Sequence, residues 1–89
     1  MTVCKHAYYT GRVQGVGFRF TAQHVASGFS VAGFVRNLPD GTVEVLAEGS
    51  AEQVDGFLKT LGQRMAEYIE ETRVEEETPQ GLRGFRIRY

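Results

Sequence analysis

The chain is short of several things that would point to particular kinds of protein. Of its 89 residues only one, Cys4, is a cysteine. No internal disulfide can form, and no thiolate cluster is available for a metal. Cys4 reads as a small apolar residue in a first strand, with a reactive thiol as the alternative. Excess charge of either sign is missing too: ten Lys and Arg against eleven Asp and Glu leave −1. Nucleic-acid scaffolds usually carry a strongly basic surface, so no nucleic-acid partner is expected. A small anionic ligand needs only local positive potential and stays open. No long apolar run opens the chain or lies within it, so neither a signal peptide nor a membrane span is expected, and the expected location is cytoplasmic. The two histidines, His6 and His24, fall on different segments with no ligand spacing, and no serine or cysteine sits in a nucleophile motif. Neither a metal nor any other cofactor is expected.

What the chain does have is a glycine-rich stretch, Gly11-Arg-Val-Gln-Gly-Val-Gly-Phe-Arg19, with three glycines and no acidic residue. It follows an apolar, aromatic run from about Val3 to Thr10 that reads as a strand. It precedes Phe18, Ala22, Val25 and Ala26, which share one face of a helix over residues 18–27, with Gly28 placed to end it in a left-handed conformation. Such a turn can aim several backbone N–H groups at one point, beside the positive end of a helix. Val31 to Asn37 reads as a strand. Leu38-Pro39-Asp40-Gly41 reads as a turn, and Thr42 to Glu48 as a second strand with Val43, Val45 and Ala47 on one face, broken at Gly49. Ser50-Ala51-Glu52-Gln53 has the form of a capping box. Val54, Phe57, Leu58, Leu61 and Met65 then keep helical spacing, with Gly56 tolerated at about 1 kcal/mol relative to Ala. An acidic edge strand is expected near Thr72 to Glu77, where charge discourages aggregation. Pro79 and Gly81 make a turn, and Phe85, Ile87 and Tyr89 alternate with Arg86 and Arg88 in a short last strand.

The order is β-α-β-β-α-β with a short fifth strand. The expected class is α+β, a sandwich with two helices on one face of an antiparallel sheet, forming a single domain over residues 1–89. A chain of this size can bury roughly two-thirds of its unfolded surface and fold alone.

Two residues stand out for chemistry. Arg19 falls in the first turn of a helix, where the macrodipole disfavours a cation. It is either a solvent-exposed arginine or the fixed charge of an anion site, with a bidentate fork that only Arg offers. Arg12 either adds potential to that loop or braces its turn. Asn37 ends a strand taken to return beside the one feeding the loop; it is either a turn-former or a carboxamide able to hold a water by donor and acceptor together. Without a nucleophile or metal ligands, a substrate with a good leaving group fits best. A mixed anhydride of a carboxylic and a phosphoric acid releases a carboxylate that leaves without protonation, so positioning and charge stabilisation could suffice.

The sequence closely resembles the acylphosphatases over nearly its whole length. The stretch Gly11 to Arg19 is similar to that family's first signature. Gly33-Phe-Val-Arg-Asn37, Leu-Pro-Asp-Gly41, Val43 and Gly49 are similar to its second, and Gly84-Phe-Arg-Ile-Arg88 resembles its closing strand. The resemblance implies a ferredoxin-like sandwich with strand order 4-1-3-2 and a short fifth strand. It also implies metal-independent hydrolysis of small-molecule acyl phosphates to carboxylate and phosphate. It puts the catalytic arginine at Arg19 and the water-orienting asparagine at Asn37, with the phosphate held by Gln14, Gly15, Val16, Gly17, Phe18 and Arg19. The departure is around Met65 to Thr72, where the chain is more acidic and Thr72 stands in place of the more usual β-branched apolar residue. Two other readings compete. One is a non-catalytic anion-binding module; the chain's ending right after the last strand favours a free-standing protein instead, and a monomer is expected. The other is a single-strand RNA binder, for which Gly33-Phe34 is only a fragment of the aromatic motif.

Overall fold

The computed structural model describes residues 1–89. The elements are β1 (Thr2–Gly11), α1 (Phe18–Ala26), β2 (Val31–Asn37), β3 (Val43–Ser50), α2 (Ala51–Arg64), β4 (Ile69–Glu77) and β5 (Phe85–Arg88). They form a five-stranded sheet in the order β4-β1-β3-β2-β5. Every neighbouring pair is antiparallel except β2 and β5, which run parallel. The order of the first four strands is the one the family resemblance implies, and β5 extends the sheet beyond β2.

One expectation is corrected. β2 does not lie beside β1; β3 lies between them, pairing Tyr9 with Val43 on one side and Val35 with Val45 on the other. The crossover through α1 skips a strand position, and the returning hairpin arm fills it. Burial explains why β3 takes the centre. Val43, Val45 and Ala47 are 0% exposed, and they pack with Ala7, Tyr9, Val35, Val54, Phe57 and Leu61 into one core between sheet and helices. The Phe57 ring meets Phe29 and Phe85 edge-on at 6.4 and 5.2 Å between centroids. Burying such a ring contributes about 1.5–3 kcal/mol.

α1 ends, and α2 begins, differently from expectation. α1 stops at Ala26, and Gly28 is not left-handed. The last turn instead tightens, with Gly28 N–H donating to Val25 O and Phe29 N–H to Ala26 O at 3.0 Å each. Such i→i−3 bonds satisfy carbonyls that a left-handed glycine would otherwise serve. At the start of α2, Ser50 Oγ accepts from Gln53 N–H at 3.3 Å. The Gln53 side chain, rather than closing the box, accepts from Ser30 N–H at 2.8 Å and so ties α2 to the entry of β2. Gly56 is there for space: an added Cβ would come within 2.7 Å of the Phe29 ring. Gly49 does not break β3, which runs to Ser50 with Gly49 paired to both Val3 and Val31. β4 starts at Ile69, three residues before the expected Thr72, and is an exposed edge strand.

The opposite face of the sheet carries a smaller apolar cluster of Cys4, Phe34 and Leu46, covered by Leu82. Glu48 holds that cover in place. Its carboxylate accepts from the backbone N–H groups of Gln80, Gly81 (2.8 Å) and Leu82 (2.9 Å). These bonds, Gln80's first, hold the Glu48 carboxyl below its ordinary value despite burial. A depressed folded-state pKa gives stability that is present above the ordinary carboxylate range and lost as pH falls through the folded value. Glu48→Gln is therefore expected to cost roughly 1–3 kcal/mol near neutrality. Urea titrations at pH 7 and pH 3 should show the gap from wild type narrowing at the lower pH. A gap independent of pH would contradict this role. On the same face, His6 lies between Glu44 (2.7 Å) and Glu77 (2.8 Å), and Glu44 also pairs with Arg36 at 2.6 Å. His6 thus has the strand role expected of it, and Arg36 points away from the face that carries Val35.

Candidate functional site

The loop between β1 and α1 is built from alternation. Val13 is fully buried in the core while Arg12, Gly15 and Gly17 are exposed. Gly15 and Gly17 both have φ of 78°, a left-handed conformation that side chains rarely adopt. Gly17 is also the residue from which α1 starts, without any side-chain cap. The first turn of the helix is closed by Thr21 N–H donating to Gly17 O at 2.9 Å, and no N–H from Gln14 to Phe20 donates to a backbone acceptor. The loop therefore presents a run of unpartnered amides at the positive end of a helix, which is what an anion requires.

Arg19 stands in that first turn, half-buried, and belongs to no ion pair. Its guanidinium lies over the Tyr89 ring, 4.9 Å from the centroid. Stacking of this kind is worth about 0.5–1 kcal/mol and offsets the cost of a cation beside the helix dipole.

Asn37 closes β2. Val35, two residues back, faces the helices, so Asn37 faces the same side. Its Oδ1 is buried and has no hydrogen-bond partner, the only such side-chain atom in the protein. A buried acceptor left unpaired costs about 1–3 kcal/mol, and this one is free to accept a hydrogen bond from a water or ligand. The parallel register pairs Arg36 with Arg88. The pairing ends there, and Tyr89 follows Arg88 at the same end of the sheet where Asn37 follows Arg36. Arg19, stacked on Tyr89, is thereby brought to the end of the sheet where Asn37 sits.

Two contributions were missed from sequence. Tyr89 read only as an alternating strand residue; it lies just beyond β5, and its stacking on Arg19, seventy residues away, left no local signal. The Gln14 side chain donates to Leu38 O and Thr42 O at 2.8 and 2.9 Å, while the sequence reading considered only the Gln14 amide. The Arg12 side chain is exposed and makes no ion pair, while the Arg12 backbone N–H donates to Tyr68 O at 2.9 Å and braces the turn.

Neither Arg19 nor Asn37 lines a cleft. A cleft of about 370 Å³ is bordered by Leu38, Thr42, Tyr8, Thr10 and Arg73. No group of three or more His, Cys, Asp or Glu side chains is placed to hold a metal ion. No helix is long and apolar enough to cross a membrane.

The fold is a ferredoxin-like sandwich, two helices against a largely antiparallel sheet with a glycine loop leading into the first helix. The acylphosphatase family profile matches residues 5–87. An acylphosphatase of Pseudomonas paraeruginosa is 47% identical over 88 residues, covering 97% of this chain and 96% of the relative. One from Trichormus variabilis is 43% identical over 84 residues, covering 93% and 83%. The crystal structure of acylphosphatase from Bacillus subtilis superimposes with a TM-score of 0.89 at 33% identity, covering both chains completely. The chain belongs to the acylphosphatase family and is a hydrolase of that family.

Proposed function

We propose that residues 1–89 act as one domain, a cytoplasmic, monomeric enzyme that hydrolyses the carboxyl–phosphate bond of small acyl phosphates. Arg19 and the amides of Gln14, Gly15, Val16, Gly17 and Phe18 hold the phosphoryl group. Asn37 orients a water for in-line attack on phosphorus, opposite the acyl oxygen. The P–O bond to the acyl group breaks as the bond to water forms. The carboxylate leaves unprotonated, and a phosphate oxygen takes the water's proton. The observation that carries this reading is the buried, partnerless Asn37 Oδ1 at the sheet end shared with Arg19 and the unpartnered loop amides. The cytoplasmic setting rests on the single cysteine, which allows no internal disulfide and so suits a reducing compartment.

Benzoyl phosphate is the probe. Phosphate release is expected at full rate in EDTA, because no side-chain cluster is arranged to hold a metal. Asn37→Ala is expected to keep the fold and lower kcat by roughly 10²–10³-fold, the scale for removing one positioned polar group. A wild-type protein that binds inorganic phosphate in calorimetry but hydrolyses no acyl phosphate would instead establish an anion-binding module.

A further inference from the structure

The proposed reaction has a geometric difficulty that the amides, Arg19 and Asn37 do not resolve by themselves. The phosphoryl group would sit on the loop after β1, and the water on the end of β2. These strands are not neighbours, since β3 separates them. In-line attack needs the reacting atoms about 3–3.5 Å apart and aligned, and a 1 Å misplacement can cost 10²-fold in rate. Something must set the loop in register with the end of β2.

We infer that the Gln14 side chain is that register device, a positioning residue that couples the phosphate loop to Asn37; the inference rests on the function proposed above. Its Nε2 donates to Leu38 O at 2.8 Å and to Thr42 O at 2.9 Å. Leu38 directly follows Asn37, so the first bond grips the Leu38–Pro39 peptide, one residue beyond the water-orienting side chain. The NH₂ group has two protons and both acceptors are carbonyls, so the chemistry fixes which way the carboxamide points.

The turn does not need Gln14 to form. Leu38 N–H already donates to Thr42 O at 2.9 Å, and Gly41 N–H to Leu38 O at 3.1 Å. Asp40 Oδ1 accepts from Thr42 N–H at 3.0 Å and from its hydroxyl at 2.6 Å. Each carbonyl that Gln14 reaches keeps another donor without it. On its other flank the loop is fixed independently, by Arg12 N–H donating to Tyr68 O at 2.9 Å and by buried Val13. The Gln14 carboxamide supplies the side-chain hydrogen bonds from loop to turn, and it is spare for the stability of either.

The variant is Gln14→Met, which keeps length and removes the donors. With benzoyl phosphate, kcat is expected to fall roughly 10–100-fold, while the inhibition constant of inorganic phosphate stays within about threefold, because the loop amides and Arg19 remain. In an Asn37→Ala background the same substitution is expected to change kcat less than twofold, since a register device has nothing left to align. Gln14→Asn, which retracts the donors by one methylene, should show the same split and serves if the Met variant does not fold. Unchanged kcat, an equal loss of phosphate affinity and kcat, or additive losses with Asn37→Ala would each overturn the inference.

A second readout does not depend on turnover. Titrating inorganic phosphate into labelled wild-type protein should shift the Asn37 and Leu38 backbone amide resonances. In Gln14→Met those two shifts should shrink while the loop resonances still respond. Equal shifts in both proteins would overturn the coupling even if the wild type proved not to hydrolyse acyl phosphates. Failure of wild-type turnover, by contrast, would count against the proposed function alone.

Discussion

Arg19→Ala is expected to leave a folded protein that turns over benzoyl phosphate at least roughly 10³-fold more slowly, a loss of about 4 kcal/mol of transition-state stabilisation. The argument is electrostatic. The loop amides supply partial charges, and Arg19 is the full positive charge beside them without an ion pair of its own. In the proposed reaction, charge on the transferring phosphoryl group would be met by that guanidinium. Inorganic phosphate should then inhibit the variant far more weakly, since the proposal has ground-state binding use the same fork. Stability should hardly change, because a cation in a first helical turn is disfavoured and the guanidinium makes no ion pair, only stacking on the Tyr89 ring. Arg19→Lys, which restores charge without the bidentate fork, should recover only part of the rate. Wild-type turnover in Arg19→Ala would sink the mechanism.

The largest effect on the fold is expected at Gly33. Its φ is 150°, and a Cβ there would stand 1.8 Å from Leu46 O and 2.7 Å from Leu46 C. Leu46 belongs to the central strand and its neighbours on both sides are buried, so the carbonyl has nowhere to go. Gly33 N–H also donates to Gly84 O at 2.9 Å, where β5 joins the sheet. Gly33→Ala must therefore pull β2 away from β3 and from β5 together. A domain of this length has on the order of 4–13 kcal/mol of stability in total, and the displacement should consume most of it. Urea denaturation followed by near-ultraviolet circular dichroism should show no cooperative transition at 25 °C, or one at a small fraction of the wild-type midpoint. A midpoint close to wild type would show that β2 can shift at little cost.

Gly33 also shows how differently residues can be read from a sequence. It stands in the second signature stretch, so a resemblance finds it, yet its need is steric and comes from a carbonyl thirteen residues away across the β2–β3 pair. The hairpin itself was legible, since its period-two alternation and Pro-Asp-Gly turn are local. So were both helices, whose apolar faces repeat at local spacing. The place of β3 between β1 and β2 was not legible from local pattern, because strand order depends on which strand is buried on both faces. The start of β4 was obscured for a related reason: an exposed edge strand carries no apolar alternation, and its acidic side chains look the same in a loop. At the site, the loop and Asn37 were legible as residue types. The missing partner of Asn37 Oδ1, the stacking of Arg19 on Tyr89 and the two bonds of Gln14 all depend on contacts between distant segments.

The position of β1 also governs how the chain must come together in time. Its partners are β3 and β4, and the second pairing joins Cys4 to Glu77. Closing so long a loop is entropically costly before any contact rewards it, and domains dominated by such pairings fold in milliseconds to seconds rather than microseconds. During synthesis at about 5–20 residues per second, the first strand leaves the ribosome roughly 4–14 s before its last partner exists. Through that interval β1 offers an unpaired, apolar edge, and the nascent protein is at its most prone to wrong pairing. The charges along β4 protect the finished sheet from its neighbours, but they reach the sheet only after the danger to β1 has passed.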